Sequence, residues 1–98
     1  MSEDVKVRHD AGQSRYVLEV DGAVRGHAEY TEQGEQRLFT HTEVDQDLEG
    51  RGLGARLVKE ALEDVRRSGK RLVPLCAFVN AYVERHPEWR DLIDAPNG

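Results

Sequence analysis

Residues 49–58, EGRGLGARLV, form a glycine-rich stretch with the composition of an anion-binding loop. Its glycines, Gly50, Gly52 and Gly54, come just before a run whose apolar residues recur at helical spacing. The first N–H groups of a helix lack intrahelical partners and carry a partial positive charge, and glycine lets a phosphate approach them. The stretch therefore predicts a site for a phosphorylated ligand; the alternative is a plain turn followed by close helix packing. It contains neither the P-loop pattern G-x-x-x-x-G-K-[ST] nor the dinucleotide pattern G-x-G-x-x-G.

Three further residues could take part in proton or group transfer. His41 and Glu43 stand two positions apart, so on a strand they would share one face. Cys76 lies between an apolar run and a helical pattern, where the N-terminus of a helix could activate its thiol. The alternatives are an ordinary solvent-facing His and Glu, and a cysteine that acts only as a small buried apolar residue.

The first half of the chain alternates apolar and polar residues, which predicts strands. Residues 5–7 and 16–20 follow this pattern, and Asp21-Gly22 is typical of a tight hairpin turn before residues 24–30 continue it. After a polar loop around Gly34, residues 37–44, RLFTHTEV, form the fourth predicted strand.

The second half changes to helical spacing. Apolar residues from 53 to 65 lie along one side of a predicted helix that ends near Gly69. Residues 71–76, RLVPLC, form an apolar strand, and residues 78–83 return to helical spacing until Pro87. The predicted order is β-β-β-β-α-β-α, an α/β (α+β mixed-sheet) fold whose fourth and fifth strands are parallel because a helix connects them.

Length and composition exclude several classes of protein. The 98 residues suffice for one domain, 1–98, with a single core, and no apolar run is long enough to span a membrane. A net charge of −5 argues against a general nucleic-acid binder. One cysteine and no secretory pattern at the N-terminus lead us to expect a cytoplasmic protein. The four histidines show no metal-ligand spacing, so we expect no metal.

The glycine-rich loop resembles the acetyl-coenzyme A (acetyl-CoA) pyrophosphate signature of the GNAT superfamily of N-acetyltransferases, [QR]-x-x-G-x-[GA]. Gly52 and Gly54 take its glycine positions, while Glu49 stands where Gln or Arg is usual. The resemblance continues through HTEV at 41–44, PLC at 74–76 and YVERHPEW at 82–89. It covers about residues 5–93 and is closest to a short one-domain subfamily of predicted acetyltransferases.

The resemblance implies that acetyl-CoA binds with its pyrophosphate on the glycine loop and its pantetheine arm in a wedge between splayed fourth and fifth strands. Pro74 suits such a wedge, since proline cannot donate to a sheet ladder; an ordinary edge strand is the alternative. Thr42 and Val44 would bind through their backbone. The implied cofactor-binding residues are Thr42, Val44, Glu49, Gly50, Arg51, Gly52, Leu53, Gly54 and Ala55.

The resemblance also implies catalytic roles. Glu43 or His41 would act as general base, and Tyr82 would protonate the departing coenzyme A thiolate. Cys76 would be an alternative acid, or a nucleophile that forms a transient acyl-cysteine. Tyr82 also falls in the apolar stripe of its helix, so packing is its alternative role.

We therefore expect an acetyl-CoA-dependent N-acetyltransferase that acts on an unidentified amine or protein acceptor. The alternative is a noncatalytic acyl-CoA-binding sensor or adaptor module. Where the family usually inserts one or two helices after its first strand, HDAGQS is only a short loop, so the acceptor side is expected to be open.

Overall fold

The computed structural model describes residues 4–48 and 50–95. Its five strands form one sheet in the order β1-β2-β3-β4-β5. Their bounds are Val5–Asp10 (β1), Arg15–Val20 (β2), Ala23–Gln33 (β3), Gln36–Val44 (β4) and Arg71–Pro74 (β5). The helices are Leu53–Arg67 (α1) and Ala77–Arg85 (α2), and short 3-10 segments span Ala11–Gln13, Gln46–Leu48 and Pro87–Leu92.

The predicted fold class and element order are confirmed. Strands β1 to β4 pair antiparallel, and β4 pairs parallel with β5. Asp21 and Gly22 both have positive φ, 51° and 85°, as the tight turn between β2 and β3 requires. Within the described ranges, no helix is long and apolar enough to cross a bilayer.

Strand β5 is shorter than the predicted strand 71–76. It pairs with β4 over four residue pairs, from Gln36↔Arg71 to Phe39↔Pro74. Beyond them, the N–H groups of Leu75 and Cys76 both donate to the carbonyl of Phe39, at 3.1 and 2.9 Å. The chain thus leaves the sheet at the proline, while β4 continues to Val44. This divergence is the predicted splay between the fourth and fifth strands.

The core lies between one face of the sheet and the helices. Helix α1 buries an apolar stripe that consists of Leu53, Leu57, Val58, Ala61, Leu62 and Val65. These side chains join one cluster with residues of β2, β3, β4 and α2, and with Trp89 and Leu92 near the C-terminus. Trp89 is therefore a core aromatic residue.

A polar network lies beside this core, three turns along α1 from its N-terminus. Arg37 on β4, only 4% exposed, donates to the hydroxyl of Tyr16 at 2.6 Å and to Asp64 on α1 at 3.3 Å. Its other nitrogen donates to Glu32 at 2.8 Å. Tyr16 itself donates to Asp64 at 2.7 Å. The network therefore joins three strands to the helix.

Candidate functional site

The start of α1 presents backbone N–H groups to solvent-accessible space. Gly52 is the N-cap, and Gly50 and Gly52 both have left-handed backbone, with φ of 82° and 72°. The first helical hydrogen bond runs from Arg56 N to Gly52 O, at 3.1 Å. The three intervening N–H groups, of residues 53–55, therefore lack intrahelical acceptors. This is the arrangement that binds anions at helix N-termini.

Gly54 has a packing role that is separate from any ligand. A Cβ atom at Gly54 would lie 2.6 Å from Cζ of Phe78 on α2. The glycine thus allows the Phe78 ring to lie directly over the first turn of α1. Phe78 is 42% exposed, so its ring is held at the surface of the protein rather than in the core.

A cavity of about 210 Å³ joins the glycine loop to the end of β4. It is lined by Val44, Leu48, Gly50, Gly52, Leu53, Gly54, Ala55 and Phe78. The structure thus brings together most of the residues predicted to bind the cofactor. Arg51 is exposed beside this loop. Glu49, the remaining predicted loop residue, lies outside the described residues.

The segment of β4 beyond Phe39 turns backbone groups toward the gap left by β5. A bulge interrupts the β3–β4 pairing, where His41 opposes Glu29 and Phe39 opposes Tyr30. After it, Asp45 N donates to Arg25 O on β3, at 2.9 Å. Because N–H and C=O groups of successive strand residues point to opposite sides, Thr42 and Val44 face away from β3. Their backbone groups therefore border the wedge.

Arg25 fixes the turn that connects this wedge to the glycine loop. Its guanidinium donates to Asp45 at 2.6 Å and to Asp47 at 2.5 Å. These aspartates flank Gln46, at the start of the Gln46–Leu48 segment. The end of β4 and the start of the loop are therefore held by the same cation.

Cys76 opens onto a cavity of about 550 Å³ at the inner end of the wedge. Its Sγ atom lies 3.4 Å from the hydroxyl oxygen of Thr42. The cavity is lined by Thr40, His41, Thr42, Cys76, Ala77 and Phe78. Cys76 is also the N-cap of α2 and is 9% exposed. The thiol is thus placed beside the open segment of β4.

His41 and Glu43 lie on the other face of the sheet from the core. Their side chains are 54% and 67% exposed, and His41 Nε2 is 3.3 Å from Glu43 Oε1. His41 borders the Cys76 cavity, whereas Glu43 borders an adjoining one with Val44, Asp45 and Gln46. The two candidates for the general base therefore form a pair at the mouth of the wedge.

Tyr82 lies in a different place from Cys76. It lines a groove of about 470 Å³ between α1 and α2, together with Gly52, Ala55, Arg56, Lys59, Glu60, Glu63 and His86. Its ring stacks on His86 with centroids 4.2 Å apart. Burial raises the pKa of its hydroxyl, and the nearby indole of Trp89 opposes this rise only in part. The structure does not bring Tyr82 into the cavity of Cys76.

Sequence reasoning missed Phe78 as a site residue. Its helical spacing suggested a core position, but it borders the cavities of the glycine loop, of Cys76 and of Glu43. It also missed the basic residues Arg56, Lys59 and Arg85, which line the grooves beside Tyr82. One sequence signal predicts this groove: small or long polar residues recur at 52, 55, 56 and 59, on the exposed side of α1.

Both the sequence and the fold of this chain resemble those of known proteins. Residues 15–92 match the family model described as GCN5-related N-acetyl-transferase. The solution structure of a GCN5-like candidate N-acetyltransferase from Staphylococcus aureus superposes with a TM-score of 0.73 at 19% identity, over 99% of this chain and 94% of that one. Among curated protein sequences there is no match.

Two crystal structures of larger proteins share the fold over part of their length. One is the ribosomal-protein-S18-alanine N-acetyltransferase of Escherichia coli, with a TM-score of 0.61 and 20% identity over 72% of this chain and 49% of that one. The other is a GNAT family acetyltransferase of Brucella melitensis in complex with acetyl-CoA, with a TM-score of 0.56 and 23% identity over 74% of this chain and 54% of that one. This chain thus spans about half the length of these two proteins. Because the family model covers most of the chain and the fold agrees, this protein belongs to the GCN5-related N-acetyltransferase (GNAT) family.

Proposed function

We propose that this protein binds acetyl-CoA and transfers its acetyl group to an amine. The observation that carries the proposal is a path of three adjoining cavities, which share Phe78 as a lining residue and lead from the N-terminus of α1 along β4 to Cys76. Along it lie helical N–H groups without intrahelical acceptors, the backbone of β4 that faces away from β3, and a thiol. Family membership and the acetyl-CoA complex of the Brucella protein support the same ligand.

Each part of the path suits one part of acetyl-CoA. The N–H groups of residues 53–55 would hold the pyrophosphate, because a helix N-terminus favours negative charge. The backbone of Thr42 and Val44 would pair with the pantetheine amides as a missing strand would. The thioester would then lie beside Thr42 and Cys76, where the cavity at the inner end of the wedge begins.

The residues around the thioester supply the remaining chemistry. The amine would enter from the exposed side of β4, where His41 and Glu43 are the candidates to accept its proton. As the C–S bond breaks, the Cys76 thiol would donate a proton to the departing thiolate. The proton thus passes from the Cys76 sulfur to the sulfur of the departing coenzyme A thiolate.

A negative charge introduced at Gly52 tests the pyrophosphate site, because it would repel the phosphate groups. We expect Gly52→Asp to lower acetyl-CoA affinity at least tenfold relative to Gly52→Asn, measured by isothermal titration calorimetry. The two side chains have nearly the same shape, and both tolerate left-handed backbone and cap helices well, so the fold should remain intact. A carboxylate about 5 Å from a phosphate at an effective dielectric of 20 costs about 3 kcal/mol.

Gly69 provides the matched control for this test. It has the same φ of 72° and open space around its Cβ position, but it lies just beyond the C-terminus of α1. Gly69→Asp should therefore leave acetyl-CoA affinity unchanged. Equal affinities of Gly52→Asp and Gly52→Asn, or no binding by the unmodified protein, would contradict the proposed site.

Transfer is tested separately from binding. Release of free coenzyme A thiol is measured with acetyl-CoA and a panel of small amines, N-terminal peptides and lysine peptides. Amine-dependent release is the expected result. Tight binding without release for any acceptor would favour the noncatalytic acyl-CoA-binding module instead.

A further inference from the structure

A cluster of potential metal ligands lies on the exposed face of the sheet, on the adjacent strands β3 and β4. One ligand atom each from His27, Glu29 and His41 lies within 4.8 Å of the others. His27 and Glu29 are two residues apart on β3, and His41 on β4 stands directly opposite Glu29. The three side chains therefore project side by side from one face of the paired strands.

The distances within the cluster suit a single ion. His27 Nε2 is 2.9 Å from Glu29 Oε2, and the two imidazole rings have centroids 5.9 Å apart. Ligands of one tetrahedral Zn²⁺ lie about 2.0–2.2 Å from the ion, so small side-chain rotations bring all three atoms into range. Glu43 lies opposite His27 in the register, and its Oε1 is 3.3 Å from His41 Nε2. Its carboxylate is therefore close enough to serve as a further oxygen ligand.

The surroundings leave these groups available. The side chains of Glu29 and His41 are 48% and 54% exposed, and that of His27 is 23% exposed. Arg15, which opposes Glu29 on β2, has its Nε 3.5 Å from Asp10. The neighbouring cation is thus already paired with another carboxylate.

From this arrangement we propose that His27, Glu29 and His41 form a binding site for a divalent transition-metal ion of the Zn²⁺ class. Two imidazoles and one carboxylate are the donors that Zn²⁺, Co²⁺ and Ni²⁺ accept, whereas Mg²⁺ and Ca²⁺ prefer oxygen ligands alone. The sequence predicts no metal because its four histidines show no metal-ligand spacing along the chain. The site exists only across the β3–β4 pairing.

This site touches the proposed acetyl-transfer centre through one residue. His41 also borders the Cys76 cavity and is a candidate base, so a bound ion would take its imidazole away from that role. Metal binding itself requires neither acetyl-CoA nor turnover. It is therefore tested independently of the proposed function.

Calorimetric titration of the chelator-treated protein with Zn²⁺ tests the proposal. We expect one Zn²⁺ per chain and no comparable binding of Mg²⁺. His27→Gln and His41→Gln should each weaken Zn²⁺ binding at least tenfold, because loss of a direct ligand exceeds the 10- to 100-fold effect typical of outer-shell partners. Zn²⁺ should also raise the melting temperature of the unmodified protein, since it binds only the folded sheet.

His86 supplies the control. It is a partly exposed histidine with one carboxylate neighbour, Glu88, at 3.8 Å, but it is not part of the cluster. His86→Gln should bind Zn²⁺ as the unmodified protein does. The proposal is overturned if Zn²⁺ does not bind, or if His86→Gln weakens binding while His27→Gln and His41→Gln, folded by circular dichroism, do not.

Discussion

At the scale of single residues, a proton donor to the thiolate must lie near the thioester and must be acidic enough, and Cys76 and Tyr82 differ in these properties. Cys76 reaches the cavity beside the open segment of β4, with Thr42 at 3.4 Å. Tyr82 faces the groove between the helices, and burial raises the pKa of its hydroxyl, which makes it a weaker acid. The surroundings of the two residues therefore favour Cys76 as the donor to the leaving thiolate.

Conservative variants of these two residues should separate their roles. We expect Cys76→Ser to lower kcat about a hundredfold, because general acid catalysis typically contributes that much or more. Tyr82→Phe keeps the ring that stacks on His86 and should change kcat less than about tenfold. Coenzyme A release with a common acceptor measures both, once the panel has identified one.

Mass spectrometry distinguishes the two possible functions of Cys76. If the thiol is only an acid, incubation with acetyl-CoA should add no acetyl mass to the protein at this residue. A stable acetyl adduct that is absent from Cys76→Ala would instead identify a nucleophilic cysteine.

The kcat values test the assignment of the acid separately. A Tyr82→Phe variant that loses as much activity as Cys76→Ser would contradict that assignment.

At the scale of elements, the contact between Gly54 and Phe78 sets how closely α1 and α2 approach. The ring of Phe78 occupies the position that a side chain at residue 54 would need. Because the ring also borders the glycine-loop cavity, this contact shapes the entrance to the wedge. The position of Phe78 thus couples helix packing to the proposed ligand site.

A double-mutant cycle measures this coupling. Alanine normally stabilises a helical position by up to about 1 kcal/mol relative to glycine. We expect Gly54→Ala to give that gain only in a Phe78→Ala background, and to give none or a loss when the ring is present. Urea unfolding of the four proteins provides the coupling energy. Equal effects of Gly54→Ala in both backgrounds would show that the ring moves away at no cost.

At the scale of the whole molecule, the Arg37 network joins β2, β3 and β4 to α1. Burial opposes ionisation of Asp64, but hydrogen bonds from Tyr16 and Arg67 and the Coulombic effects of His9 and Arg37 outweigh it, so its pKa is lowered. The pKa of Glu32 is also lowered, since Arg37 and Lys70 outweigh its partial burial. The ionised form of each of these two carboxylates therefore stabilises the folded state.

This network predicts how stability depends on pH. In the folded protein the two pKa values lie below the ordinary values of 3.8 for Asp and 4.5 for Glu, so in acid the unfolded chain binds more protons. The contribution of these two carboxylates to the free energy of unfolding should then be complete above about pH 5, and it should be lost as the pH falls through their folded pKa values. Asp64→Asn should reduce this slope and cost roughly 1–3 kcal/mol at neutral pH, because it weakens charge-assisted hydrogen bonds.

Asp91 offers a control for the pH experiment. It pairs with Arg66 at 2.7 Å, but its side chain is 76% exposed, where such pairs contribute little. Asp91→Asn should therefore follow the pH dependence of the unmodified protein in urea unfolding between pH 6 and pH 3. An Asp64→Asn slope identical to that of Asp91→Asn would show that the network does not control acid stability.

Local spacing predicted the elements but not their exact ends. The alternation of residues 16–20, the Asp21-Gly22 turn and the apolar stripe from Leu53 to Val65 each appear where the pattern places them. These features depend on neighbours within a few residues, so the sequence carries them directly. The end of β5 does not, because it depends on Phe39, whose carbonyl accepts hydrogen bonds from both Leu75 and Cys76.

By itself, the sequence determined the order of strands and helices, the family and the glycine loop. Each of these depends on local patterns or short motifs, in which neighbouring residues of the chain carry the signal. Tertiary structure alone decided that β4 turns the backbone of Thr42 and Val44 toward the wedge, that Phe78 covers Gly54, and that Tyr82 and Cys76 open onto different cavities. It also decided that His27 and His41 meet. Register across strands and contacts between helices join residues far apart in the chain, and no local period specifies them.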